Sequence, residues 1–399
     1  MLQRLVHSAR VNVFESARFY YGVLWILIGY SIVREVIQKF TLVYHTEPFI
    51  FPREIVGVLF FIFAFCSIIS AWVLRKKIDK NILIFVATIS IISLINELRF
   101  GLEINEYSLK DSLTTGQLYY VFKIIFPLLF LGFWPLLDNE KIRTSFMIRL
   151  IESLFLLNAG LIFFGGILAD IPLMESYPLS GRWGYCGLLL DRVTTQLTYG
   201  LLLLHNWSPN KPFYWKNFVF IICLLVSGQK AGFLWFGLFI VFVMVRSSVL
   251  RNVIVLLAAA IFAFIPYYIK LLVGLSPFWE KVYEEHGILG VVFSLRNELL
   301  WSVFESEKEN TSFTEVLFGG ISRFPARIEF LPLDIFIYFG VVGVLVSGWF
   351  FSKWISPCKW SIPLIIACFA GGVFGSFLML LLFGLFIIRN KTIYHHFLD

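Results

Sequence analysis

The chain has 399 residues, of which 59% are hydrophobic and only 15% charged, whereas soluble domains carry about 25% charged residues. That balance, with a mean hydropathy of +0.82, speaks against a water-soluble fold and leaves no room for a separate soluble domain. The net charge of +7 is spread between apolar runs rather than gathered into one patch, so it reads as a topology signal and not as a nucleic-acid surface.

In chain order, the basic amphipathic N-terminus up to Phe19 lacks a small-residue cleavage site and is expected to stay attached. Apolar runs predict helices over 19–37, 55–74, 81–98, 117–137, 147–168, 183–204, 214–229, 230–246, 252–273 and 333–352. Most approach the roughly 20 residues that cross a hydrocarbon core. The last apolar stretch, Ser361 to Ile388, would make about 42 Å of helix, too long for one ordinary span. Gly371, Gly372 and Gly375 at its middle favour two short or broken segments. The expected architecture is one all-α polytopic transmembrane unit over 1–399, with about 11–12 helices.

Lys and Arg in short loops stay cytoplasmic. An inside N-terminus places Arg4, Arg10, Arg18, Arg75 to Lys77, Lys80, Lys141, Arg143, Lys211, Lys216, Arg246, Arg251, Lys353 and Lys359 there together. The connection 275–332 then falls outside, as the one large external loop. Its Trp, Phe, Leu and Ile content argues for short helices folded over the membrane face rather than for disorder.

Three external clusters carry candidate chemistry, since charge near membrane depth is costly. The first is Ser180-Gly181-Arg182-Trp183-Gly184, at the mouth of the predicted 183–204 helix, with Asp191 and Arg192 deeper in that helix. Arg182 either serves a ligand or snorkels beside Trp183. The second is Ser227-Gly228-Gln229-Lys230-Ala231-Gly232, a tight turn between two apolar helices. It reads as an anion site at a helix N-terminus or as a plain hairpin with an interfacial Lys. The third lies in the large loop: Arg296, Arg323 and Arg327 suit forked binding of a diphosphate, and Glu329 and Asp334 suit proton acceptance from a sugar hydroxyl. The other reading of that loop is a set of Arg–carboxylate pairs holding it together.

The five Cys (Cys66, Cys186, Cys223, Cys358 and Cys368) show no pair spacing, and the external His45 and His286 have no partner at ligand spacing. Neither a disulfide framework nor a metal site is expected.

The order of these motifs resembles the O-antigen polymerase (Wzy) and O-antigen ligase superfamily of membrane glycosyltransferases. In that family a small-residue turn with a cation precedes a helix, and an Arg and a Trp follow in the large loop. A glycine pair then leads to a polar or acidic motif entering the next helix. The matching positions are Ser227-Gly228-Gln229-Lys230, Arg296 with Trp301, Gly319-Gly320, Glu329 to Asp334, and Gly340 to Gly343. Polymerases often carry a second acidic residue two positions after the Glu, where this chain has Leu331, and ligases use a His near Glu329 and Phe330. The missing His disfavours a ligase.

The resemblance implies a multi-pass protein of the bacterial inner membrane with a periplasmic active site. Its substrates would be undecaprenyl-diphosphate-linked oligosaccharides, with no cofactor and no metal, among membrane lipids and with a chain-length regulator as a possible partner. Lys230, Arg182 and Arg296 would stabilise the departing diphosphate, and Glu329, then Asp334, would be the base. The competing expectation is a transporter or flippase of polysaccharide precursors, which the single large loop disfavours. A membrane acyltransferase would need an external His with an acidic neighbour, and none is evident.

Overall fold

The computed structural model describes residues 17–45, 80–103, most of 121–129, 140–178, 182–189, 191–207, 214–245, most of 267–307, 312–320, 330–354, 361–370 and 377–395. The predicted spans 55–74 and most of 117–137 and 252–273 lie outside them. The described chain is mostly helical: α1 Ala17–Tyr44, α2 Lys80–Glu103, α3 Glu140–Leu161, α4 Arg192–Asn206, α5 Trp215–Val226, α6 Lys230–Val245, α7 Pro277–Phe293, α8 Arg296–Glu307, α9 Phe313–Phe318, α10 Leu331–Trp354, α11 Ser361–Ala370 and α12 Phe377–His395. No strand occurs among the described residues beyond one isolated antiparallel bridge, Glu175 with Tyr185.

Among the described residues three helices are long and apolar enough to cross a membrane: Lys80–Arg99, Thr144–Leu168 and Leu331–Lys353. Helix α2 shows why. Ile82, Phe85, Ile89 and Ile92 are buried against the protein, while Ile84, Ile91, Leu94 and Leu98 on the other side are exposed. A helix that is apolar all round suits a lipid surround, where close packing rather than water exclusion joins helices. Phe85 of α2 stacks on Phe350 of α10 with ring centroids 4.5 Å apart.

Helix α4 is the centre. It packs against α5, α6, α11 and α12, and every residue from Thr194 to Leu204 is buried. At its far end Glu152 of α3 takes Lys216 of α5 at 3.0 Å and accepts a hydrogen bond from Asn206 of α4. That polar clamp ties three helices together.

Several predicted boundaries differ from the structure: α2 runs on to Glu103, past 98, and α3 begins at Glu140, ahead of 147. The run 183–204 is not one helix, because Trp183 to Leu189 is non-helical and α4 begins only at Arg192. Gly184 and Gly187 there take φ of +141° and +78°, values that favour glycine. Asp191, read as lying inside that helix, is instead the N-cap of α4, its carboxylate accepting from the Val193 N–H at 3.1 Å. Helix α1 runs on to Tyr44, past the predicted end at 37, because Lys39 in its last turns is fully buried against the protein. The final apolar stretch does contain two helices, α11 and α12. The segment 275–332 contains α7, α8 and α9.

Candidate functional site

The connection from α3 to α4 forms the floor of the site. Helix α3 ends in a wider π-type turn, Ile162–Leu168, and a short 3-10 turn, Pro172–Met174, follows. The segment then folds on itself: the Ser176 N–H donates to the Gly184 carbonyl at 2.7 Å and the Cys186 N–H to the Met174 carbonyl at 3.0 Å.

This folded segment is fastened to the turn between α5 and α6. The Tyr185 N–H donates to the Val226 carbonyl at 2.9 Å, and the Ser176 hydroxyl to the Ser227 carbonyl at 2.8 Å. Gln196 of α4 donates to the Ser227 hydroxyl at 3.1 Å. Gly228 (φ +67°) approaches so closely that a Cβ there would lie 2.8 Å from the Gly184 Cα and closer still to the Trp183 carbonyl oxygen. Gly232 is equally confined, between Leu224 and Gln196. The small residues of this turn therefore serve backbone contact, and they fix where Lys230 starts α6.

Three of the predicted cations are brought together here from separate segments. Lys230 lies within electrostatic range of both Arg296, at the start of α8, and Arg182. Aromatic rings from α7 sit among them: the Arg182 guanidinium is 3.4 Å from the Phe278 ring centroid and 5.3 Å from that of Trp279, and the Lys230 ammonium is 3.9 Å from Trp279. Arg182 also lies 5.1 Å from Tyr177, whose other cation is Arg192 at 3.9 Å. Cations over ring faces are attracted by the ring quadrupole, and a stacked guanidinium keeps its in-plane N–H groups for other acceptors. Burial lowers the Arg182 pKa; Tyr177 opposes that and the like charge of Arg192 adds to it. The arrangement concentrates positive charge in a partly buried place, which a multiply charged anion would relieve.

Asp334 is buried in the first turn of α10, its backbone N–H donating to the Phe330 carbonyl at 2.9 Å. Arg323, Arg327 and Glu329 lie outside the described residues. The glycine pair Gly319-Gly320 has a structural use. Gly319 closes onto the backbone of Tyr338 and Phe339, and the Gly320 N–H donates to the Ile337 carbonyl at 2.8 Å. Gly340 (φ +66°) breaks α10 where Leu317 of α9 abuts it. Helix α2 ties this contact down: Asn96 donates to the Phe318 carbonyl at 3.0 Å, and Arg99 to the Gly320 carbonyl at 3.0 Å and to Glu315 at 3.5 Å.

Sequence reasoning missed the polar face of α1. Lys39 donates to the Cys186 sulfur at 3.2 Å and to the Gly187 carbonyl. Glu35 accepts from the backbone N–H of Asp191. Asn158 of α3 completes the seat, donating to the Cys186 carbonyl at 3.1 Å and accepting from Leu188 at 3.0 Å. The signal was present: Arg34, Glu35 and Lys39 are charges in an apolar helix, and Glu35 and Lys39 share a face at i and i+4.

Among the described residues no group of three His, Cys, Asp or Glu could hold a metal ion. No protein-family model, no curated protein and no solved structure matches this chain.

Proposed function

We propose that the chain is a polymerase of lipid-linked oligosaccharide repeat units, a multi-pass glycosyltransferase of the bacterial inner membrane whose site faces the periplasm. The observation that carries this reading is the convergence of Arg182, Lys230 and Arg296 around Trp279 and Phe278. A diphosphate brings the negative charge that such a site suits, and aromatic faces suit the apolar planes of sugars and isoprenoid chains. The apolar, lipid-suited surface of α2 is in keeping with a substrate that arrives through the bilayer.

In the proposed reaction the acceptor sugar hydroxyl attacks the anomeric carbon of the donor glycan. The bond from that carbon to the diphosphate oxygen breaks, and undecaprenyl diphosphate leaves with its charge held by the three cations. A carboxylate, Glu329 first and Asp334 second, takes the hydroxyl proton. No metal is required, because fixed cations replace it.

The test is reconstitution of the purified protein in vesicles with lipid-linked repeat units. Longer glycans and released polyprenyl diphosphate are expected with the wild type, and neither with Arg296→Ala. Movement of intact units across the bilayer without bond formation would replace the proposal with a transporter.

A further inference from the structure

Gln229 stands immediately before Lys230, at the N-terminal end of α6. The residue is 7% exposed. Its amide nitrogen is nevertheless buried with no hydrogen-bond partner among the described residues. A buried donor left unmade is costly, and such a group in a native fold asks for an explanation. Three features around it agree on the kind of acceptor required. Lys230 adjoins it with Arg182 and Arg296 in electrostatic range. The first N–H groups of a helix have no intrahelical acceptor, and α6, a helix of 16 residues, presents the positive end of its dipole at this point. The turn itself is rigid, held by Ser176 and Tyr185 on one side and by the tight seat of Gly232 on the other.

We infer that the Gln229 side-chain amide donates a hydrogen bond to an oxyanion of the phosphate or diphosphate class seated at the start of α6. The adjoining Lys230 and the start of α6 bring positive charge, which a phosphoryl oxygen satisfies and a neutral ligand does not. As a short, neutral donor on a fixed turn, it sets the position of the anion where the longer cations set its charge. This rests on the proposed function for the identity of the ligand, but the site itself can be measured without any turnover.

The experiment uses the purified full-length protein in detergent, with inorganic pyrophosphate and farnesyl diphosphate as probes, titrated calorimetrically, and with melting temperature followed in parallel. Gln229→Leu removes the donor, and Gln229→Glu keeps the shape while placing an acceptor where the anion sits. Binding of both probes is expected to weaken about tenfold or more in Gln229→Leu and further in Gln229→Glu. The ligand-free Gln229→Leu protein should melt at the same temperature as the wild type or higher, because an unmade buried donor has been removed. Wild-type affinity in both variants would overturn the inference. So would a loss of affinity in Gln229→Leu accompanied by an equal fall in ligand-free melting temperature, since that marks a merely structural residue.

A further arm separates the sources of the anion. If phosphatidylglycerol in nanodiscs occupies the site in a Gln229-dependent way and neither diphosphate probe does, the inference stands with a lipid headgroup as ligand and the polymerase reading falls.

Discussion

Arg99 and Lys230 both stand at helix ends, and the molecule treats the two cations differently. Arg99 reaches Glu315 and the carbonyls of Gly319 and Gly320, so its donors join α2 to the α9–α10 contact. Lys230 faces the Trp279 ring and shares its surroundings with Arg182 and Arg296. Donors spent on carbonyls and a carboxylate hold a fold together, and neighbouring cations on ring faces add to one another's potential. The difference is one of surroundings: Arg99 ties α2 to the α9–α10 contact, whereas Lys230 adds to the positive charge around Trp279.

Substitutions can break that distinction. The largest effect is expected at the cations: Arg296→Ala should abolish polymer formation, at least about a hundredfold, while the protein remains inserted at normal levels. Lys230→Ala should weaken activity less if it acts only by attracting phosphate. Ladder length on a gel and membrane abundance by immunoblot are the measurements, and long chains in both variants would remove these residues from the site.

Next comes Gly228→Val, which forces a side chain into the Gly184 and Trp183 backbone at a positive φ. A loss of about 1–3 kcal/mol is expected, read as a lowered melting temperature together with lost diphosphate binding. Arg99→Met should do the reverse of Arg296→Ala, lowering stability by about 1–3 kcal/mol through the stranded carbonyls and Glu315 while substrate affinity per folded molecule is retained.

The smallest effect concerns Glu175, whose carboxyl is pushed above the usual range by burial, then by the Asp170 charge, with Lys39 opposing. A carboxyl raised in the folded state favours folding at low pH and loses that contribution as pH rises through its folded value. Glu175→Gln should therefore melt higher than the wild type at neutral pH. The gap should close below the ordinary carboxylate value of about 4.3. A gap that widens on acidification would contradict the sign.

Much of the helix inventory was legible because lipid-suited helices announce themselves by length and apolarity. The hairpin turn at Ser227 to Lys230 was legible for the same reason, as was the broken final stretch. What was not legible depended on tertiary contacts. Nothing local shows that Trp183 to Leu189 leaves the helix to meet Val226, or that Asp191 caps α4 rather than lying inside it. The cations could be named individually, but their meeting around Phe278 and Trp279 depends on how α7 folds back over the turn. Gly319-Gly320, matched to a motif by order alone, proved to be a backbone-to-backbone contact with α10. Lys39 lies past the end of the apolar run at 37, although a charge at that depth is a signal in itself.

The proposed polymerase joins lipid-linked units rather than moving them. The direct measurement is deletion of its gene, followed by gel analysis of surface polysaccharide and extraction of lipid-linked intermediates. Single repeat units capped on the surface, with no ladder, are the result expected of a lost polymerase. Undecaprenyl-linked units accumulating on the cytoplasmic face would contradict it and leave a transporter in its place.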